Sequence, residues 1–308
     1  MKNTKYNPNK RGFVLSLILW ISAAMMLLSL LFVRMTKEQT QIYGKMHKKL
    51  EVELITQSLF EQISFYISTG KFQSNKVSNI LDNFPSSLYI DNREYNITKD
   101  STICFYALQD HSGLYNLRFL LTDKQAEKTI QQISSTKYPF KNLYLDWLDR
   151  DQLSRINGAE KSDYMLDGYG YIPPNYISFQ HKDSMYLLKD FYKFDKNTTI
   201  KIRKYFTSYG STPINILLLD KVMLKSFFPH LTQKEINRLL ELQNSNQSEY
   251  RKNFTTSHIN QDSYGLFPSK TITITIKCKQ EDLVAKLKMV VDYRATNSKS
   301  WNILEVYK

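Results

Sequence analysis

A long stretch near the start of the chain is predominantly hydrophobic. Phe13 to Val33 contains no charged residue, and a helix of this length spans roughly 30 Å, the thickness of the hydrocarbon core of a bilayer. Core helices of globular proteins seldom run so far without a charge. A cleaved secretory signal has a shorter apolar region with small residues after it, whereas Arg34 follows here. The pattern predicts a membrane anchor at residues 13–33.

Apolar positions continue beyond the anchor at helical spacing. They recur at every fourth residue from Ile42 to Leu54, and a second series extends to Ile67. Such a stripe is typical of the packing surface on one face of a helix. The pattern predicts that residues 34–70 continue the long helix and that it ends at Gly70.

The middle of the chain changes from a mixed pattern to a helical one. Residues 71–120 are mixed, with one β-branched and aromatic strand at 102–108. From 121 to 250 the spacing is mainly helical, including a run at 214–228, and Thr232 begins a capping-box sequence. These residues are expected to form a mostly helical unit.

The last part of the chain, residues 251–308, has the strongest strand pattern. Residues 270–279 alternate strictly between polar and apolar positions. Partner strands are predicted at 283–293 and 301–306. The whole chain is therefore expected to be α+β, with a long helix first and antiparallel strands last.

The charge of the chain is strongly basic but not concentrated. The formal net charge is +13 over 308 residues, which raises nucleic acid or an acidic membrane surface as partners. Four of the cations fall in residues 1–12, which lack acidic residues, and the others are spread along the chain. The dense positive charge before the anchor keeps the short N-terminal side cytoplasmic, so the rest lies outside the cytoplasm. No nucleic-acid partner is expected.

One acidic cluster stands out against this basic background. Five carboxylates fall within eighteen positions. They are Asp146, Asp149, Asp151, Glu160 and Asp163. Calcium takes about 6–8 oxygen ligands, which such a loop provides. The alternatives are a solvated loop balanced by neighbouring cations and a carboxylate pair that hydrolyses a glycoside.

The chain has two cysteines, Cys104 and Cys278, and both lie in predicted strands. A compartment outside the cytoplasm permits a disulfide between them. Two separately buried thiols are the alternative.

The residues before the anchor resemble a class III prepilin leader, as in type IV pilins and type II secretion pseudopilins. The matching residues are Lys10, Arg11, Gly12 and Phe13. The resemblance implies that a prepilin peptidase cleaves after Gly12 and that the new N-terminus at Phe13 is methylated.

The fifth residue after this junction is Leu17, where most pilins have Glu. A carboxylate in the membrane costs about 3 kcal/mol or more, and in pilins it pairs with the N-terminal amine of a neighbouring subunit. A subunit with nothing ahead of it leaves that carboxylate unpaired. Leu17 therefore favours a subunit at the tip of a filament, and an ordinary membrane anchor is the alternative.

The acidic cluster also resembles a known family. The string DWLDRDQLSRINGAEKSDY at residues 146–164 is similar to the D-W-I-D-x-D and G-A-E-D stretches of the type II secretion minor pseudopilin K family, also called general secretion pathway protein K. Three further segments resemble segments of this family and occur in the same order along the chain. They are the turns at 110–117 and 213–216 and the Thr-Ile strand near the end. Two positions differ from the family pattern. Lys161 stands where the family has an acidic residue after Glu160, and Leu217 stands where its I-N-x-N segment has the second Asn.

This resemblance implies a pilin-like α+β fold with an inserted helical domain, and calcium bound in the globular part. The ligands that it implies are Asp149, Asp151, Glu160 and Asp163. It also implies a structural subunit, not an enzyme, at the pseudopilus tip beside I- and J-type minor pseudopilins, anchored in the inner membrane with its head in the periplasm and served by an inner-membrane assembly platform. The alternatives are a minor pilin of a type IV pilus or competence system, and a membrane-anchored periplasmic hydrolase that uses Asp149 or Glu160.

Overall fold

The computed structural model describes residues 9–81, 84–99, 101–118, 124–174, 179–210, 214–256, 264–294 and 301–307. Leader residues 1–8 lie outside this set. The helices are α1 (Asn9–Thr69), α2 (Lys124–Ser134), α3 (Phe140–Leu148), α4 (Lys161–Leu166), α5 (Lys196–Arg203), α6 (Lys221–Phe227), α7 (Gln233–Ser245) and α8 (Gln247–Thr256). The strands are β1 (Lys71–Phe72), β2 (Lys76–Ser78), β3 (Ser87–Tyr89), β4 (Asp91–Lys99), β5 (Thr102–Asp110), β6 (Tyr115–Asn116), β7 (Phe206–Thr207), β8 (Ile214–Asn215), β9 (Tyr264–Gly265), β10 (Thr271–Gln280), β11 (Leu283–Asp292) and β12 (Asn302–Tyr307).

The first helix has two parts with different surroundings. Every side chain from Phe13 to Leu50 is exposed, whereas one face of α1 is buried from Val52 onward. Among the described helices, α1 has the length and composition to cross a membrane. It ends at Thr69, so the predicted stop at Gly70 is confirmed.

An antiparallel sheet with the strand order β12-β11-β10-β5-β4 covers the buried face of α1. The apolar residues of β10 from Ile272 to Cys278 are buried with Phe60, Ile63 and Ile67 of α1 in one core. Burial of each such side chain contributes about 1.5–3 kcal/mol. The three predicted C-terminal strands are confirmed, whereas β4 and the small sheet of β1, β2 and β3 are additions to the prediction.

The helical unit is inserted between two neighbouring strands of this sheet. The chain leaves β5 at Asp110 and returns in β10, where Ile272 lies opposite Asp110 in the ladder. Helices α2 to α8 lie between these points, and buried residues of α2, α3, α4, α5, α6, α7 and α8 form a second core. The predicted mostly helical middle region and α+β class are confirmed, and α8 runs past residue 250 to Thr256.

One part of the predicted helical region differs in the structure. Residues 214–228, which the apolar spacing predicts as one helical run, contain β8, a 3-10 turn at Ile216–Leu218 and then α6. The side chain of Asn215 causes the break, because its oxygen accepts the Leu217 backbone N–H at 3.1 Å. Such local side-chain bonds compete with helical hydrogen bonds.

The two cysteines are joined by a disulfide in the structure. Cys104 of β5 and Cys278 of β10 lie directly opposite each other in the antiparallel ladder, 174 residues apart in sequence. The covalent link therefore holds the strand pair that flanks the inserted helical unit.

We expect the disulfide to stabilise the chain by about 2–4 kcal/mol, because it restricts the unfolded chain across a long loop. Reductant should lower the free energy of unfolding of the full chain in detergent by this amount, measured by urea titration. The double variant Cys104→Ala/Cys278→Ala should be insensitive to reductant. Two thiols that react with a thiol reagent in the denatured, unreduced protein would contradict the expectation.

Candidate metal centre

The acidic loop connects two short helices of the inserted unit. Helix α3 packs Phe140, Tyr144 and Trp147 into the helical core, and α4 packs Tyr164 beside them. Packing on both sides fixes the ends of the loop. Asp149 is the C-cap of α3, and its N–H donates to the Leu145 carbonyl at 3.0 Å.

Asp146 lies at the C-terminal end of α3 and is fully buried. Its carboxylate accepts the Arg155 backbone N–H at 3.1 Å and pairs with the Arg155 guanidinium, which also pairs with Asp149. A Cβ at Gly158 would overlap the Asp146 carboxylate. The loop therefore folds closely around this carboxylate, and Gly158 is required by that approach.

The structure brings three carboxylates together. Oxygens of Asp146, Asp149 and Glu160 all lie within 4.8 Å of one another. Glu160 is fully buried, and its carboxyl group interacts with that of Asp149 through a hydrogen bond that requires one of the two to be protonated. Burial, followed by the negative charges of Asp149 and Asp146, raises the pKa of Glu160 to about 7. When all three ionise, Arg155 balances one of the three charges.

The ligand residues implied by the sequence lie in two different environments. Asp149 and Glu160 belong to the three-carboxylate group. Asp151 instead accepts the Leu153 N–H at 2.8 Å, and Asp163 accepts the Glu160 N–H and the Ser154 hydroxyl, both at 2.7 Å. These hydrogen bonds lower the pKa of Asp163. They shape the loop and the start of α4.

Asp146 was not among the ligand candidates taken from the sequence. The sequence feature that points to Asp146 is its spacing of three residues from Asp149, because residues three apart lie on the same face of a helix. The pairing of Arg155 with both aspartates depends on the fold of residues 150–158 and leaves no local signal in the sequence.

Three other candidate residues lie on α1. Gly12 and Phe13 fall within this helix, and Phe13 is exposed. Leu17 is one turn further along and is exposed as well. Phe13 and Leu17 therefore lie on the exposed part of α1 that the sequence predicts to be the membrane anchor.

The raised pKa of Glu160 predicts a specific dependence of stability on pH without divalent cations. Between pH 4.5 and about 7 the folded chain holds a proton that the unfolded chain has lost. Stability contributed by this residue therefore falls as the pH rises through that window. Urea unfolding in EDTA should show this fall for the wild type, and Glu160→Gln should remove it.

A matched control is Glu241→Gln, which removes a carboxylate from the exposed face of α7. This variant should keep the wild-type dependence on pH. An unchanged dependence in Glu160→Gln would show that Glu160 is ionised normally in the folded chain.

Comparison with known proteins identifies the fold. No protein-family model matches the chain, and no curated protein matches its sequence. A chain in the crystal structure of the GspK-GspI-GspJ complex from the type 2 secretion system of enterotoxigenic Escherichia coli has a similar fold. The two chains are 13% identical, with a TM-score of 0.50, and the likeness covers 87% of this chain and 98% of the other. The chain therefore has a pilin-like α+β fold with a long N-terminal helix, as the sequence resemblance implied.

Proposed function

We propose that this protein is a minor pseudopilin of a type II secretion system, a structural subunit at the tip of the pseudopilus. The observation that carries the proposal is the fold likeness to a chain of a minor pseudopilin complex across nearly the whole length of both chains. The sequence resemblance of residues 146–164 and of the leader supports the same family independently.

The two surfaces of α1 suit a subunit that is stored in a membrane and then assembled. Its first part, from Phe13 to Val33, exposes uncharged and predominantly apolar residues. In a bilayer this surface contacts lipid. In a filament it packs laterally against equivalent helices of other subunits. A prepilin peptidase and an inner-membrane assembly platform act on this part of the chain, and the head lies in the periplasm.

Two features support the tip position. Leu17 lacks the carboxylate that a following subunit offers to the N-terminal amine ahead of it. The inserted helical unit also adds a second core beside the one that packs on α1. A head of this width suits the end of a thin filament better than its shaft. The partners are then I- and J-type minor pseudopilins, and the complex initiates and caps the filament that exports folded proteins.

The acidic loop does not suit catalysis. Asp146 and Glu160 are both fully buried, so a sugar chain cannot contact them without rearrangement of the loop. A glycoside hydrolase needs both carboxylates against the scissile bond. This burial favours a structural subunit over the alternative of a periplasmic hydrolase.

We propose that the acidic loop binds calcium. The observation that supports this is the fully buried Glu160 carboxyl group, which lies beside two other carboxylates. Asp149 and Glu160 supply ligands, with Asp146 as a third carboxylate. Asp151 and Asp163 join the set only if they give up their present hydrogen bonds. A dication balances the two charges that Arg155 leaves and links the end of α3 to the start of α4.

Calcium should raise the stability of the full chain in detergent. At a hundredfold excess over the dissociation constant, binding contributes about 2.7 kcal/mol, and this increase should appear in melting and urea titrations. Asp149→Asn and Glu160→Gln should abolish the increase, and Asp151→Asn should leave most of it.

Glu241→Gln is the matched control, because it removes one negative charge outside the loop. An equal loss of the calcium effect in this variant would mean that calcium acts through general charge. A complete loss of the calcium effect in Asp151→Asn would mean that Asp151, and not Asp146, is the third ligand. No response to calcium would discard the metal site without affecting the filament proposal.

The filament proposal predicts the processing and the partners of the chain. Full chain purified in detergent from its own cells should begin at methylated Phe13 by mass spectrometry, and an intact Met1 would contradict a pilin-type protein. Two further single-span proteins with prepilin leaders should co-purify.

Leu17→Glu should lose these two partners, because an unpaired carboxylate in the membrane costs about 3 kcal/mol, whereas Leu17→Ala should retain them. Retention of both partners by Leu17→Glu would count against the tip position. Partners from a pilus or competence system would favour that alternative.

A further inference from the structure

A cleft of about 450 Å³ opens between the sheet and the inserted helical unit, and it shares no residue with the acidic loop. Strands β10, β11 and β12 form one wall, and residues around α5 form the other. The cleft is strongly basic. Its charged residues other than histidine are Lys182, Lys201, Arg203, Lys204, Lys288 and Glu305.

Two lysines approach each other from the opposite walls of this cleft. The ammonium groups of Lys182 and Lys288 lie 5.4 and 5.2 Å from the centroid of the Tyr307 ring. Neither forms an ion pair with a carboxylate among the described residues. Burial, followed by repulsion from Lys288 and Arg203, lowers the pKa of Lys182 to about 8. Partly buried charge of one sign is unfavourable unless an opposite charge accompanies it.

The acidic groups near the cleft are engaged elsewhere. Oε1 of Glu305 lies 2.8 Å from Nε2 of His181, and the Arg203 guanidinium pairs with Asp183. Glu305 still lies in the cleft, and its negative charge raises the pKa of Lys182 and of Lys288 against the effect of burial. The cleft therefore has five cationic side chains other than histidine and one carboxylate among its described residues. The nearby His111 is neutral, because burial and then the two lysines lower its pKa to about 3.

Two hydrogen-bond donors on the cleft wall lack partners. The Ser208 hydroxyl belongs to a residue that is 2% exposed, and it has no hydrogen-bond partner among the described residues. The Nε of Arg203 is also buried, and no acceptor for it lies within the part of the chain that the structure describes. Buried donors without an acceptor are uncommon and costly. An anion with several acceptor oxygens would satisfy these donors and the excess of cations together.

We propose that this cleft binds a phosphate monoester. A phosphate group carries about −1.5 to −2 charges at pH 7 and three acceptor oxygens, which matches paired lysines, a hydroxyl and a guanidinium better than one carboxylate does. Lysine ammonium groups bind phosphate as point charges. The volume of the cleft exceeds that of a phosphate ion, and Val290 and Tyr307 offer apolar surface to the organic part of the ligand. This proposal does not depend on the proposed function.

The experiment uses the full chain in a nonionic detergent with EDTA. Isothermal titration calorimetry is carried out with inorganic phosphate and glycerol 3-phosphate at constant ionic strength, with sodium chloride as the reference. Micelles doped with phosphatidic acid provide a third probe. Saturable binding of the two soluble probes supports a free phosphate monoester, and saturable binding of phosphatidic acid alone supports the same chemistry on a lipid headgroup. No saturable binding of any probe overturns the proposal.

Variants locate the binding. Lys288→Met should weaken binding about tenfold, because one charged hydrogen bond contributes about 1.5 kcal/mol or more. Lys286→Met is the matched control, two residues away on β11 with an exposed side chain outside the cleft, and should change affinity less than about twofold. Equal weakening by both variants would overturn the proposal.

Ser208→Ala provides a test that leaves every charge in place. It should weaken binding about fivefold and preserve the circular dichroism spectrum. This variant decides the question if Lys288→Met fails to fold. Wild-type affinity in Ser208→Ala and in a folded Lys182→Met would place phosphate outside the cleft and overturn the proposal.

Discussion

The structure depends on one buried carboxylate, that of Asp110, which holds together the two ends of the inserted helical unit. Its Oδ1 accepts hydrogen bonds from the N–H and hydroxyl of Ser112, just after β5, and from those of Ser269, just before β10, at 2.6 to 3.0 Å. Burial raises the pKa of Asp110, and the hydrogen bonds from Ser112 and Ser269 oppose that rise because they favour the charged form. Closing a loop this long has an entropic cost, and the four bonds at Asp110 help to offset it where the chain leaves and rejoins the sheet.

Two cores meet at this junction. Leu218 of the inserted unit is buried in the core that packs on α1, whereas Leu217 beside it is buried in the helical core. Gly113 lies three residues after Asp110 and packs directly against Leu218. A side chain at this position would prevent that approach, because a Cβ there would lie 2.7 Å from the Leu218 Cβ. The His111 ring lies 2.5 Å from the Thr207 hydroxyl of the inserted unit and 2.8 Å from the Thr273 hydroxyl of β10. The helical unit is therefore fixed against the sheet, and the basic cleft lies along this contact.

Local patterns in the sequence predicted the elements, and the fold decided how they meet. Strict alternation identified β10, and the capping box at Thr232 identified α7, whose first N–H groups are capped as expected. The pairing of β5 with β10 leaves no local signal, since the partners are separated by the whole helical unit. For the same reason the sequence identified an acidic cluster but not the grouping of Asp146 with Glu160, which depends on Arg155 and Gly158.

Charge imbalance inside the head connects its two sites. The net charge of +13 over the whole chain does not locate a binding site, because most of the cations are spread over exposed surface. Buried charge is more informative, since water screens it poorly, and either an opposite charge or a shifted pKa must compensate for it. At the acidic loop, three carboxylates face one guanidinium. At the cleft, the ammonium groups of two lysines both lie near the Tyr307 ring. The two sites have opposite signs of charge, so the cation proposed for the first and the anion proposed for the second would each reduce the imbalance there.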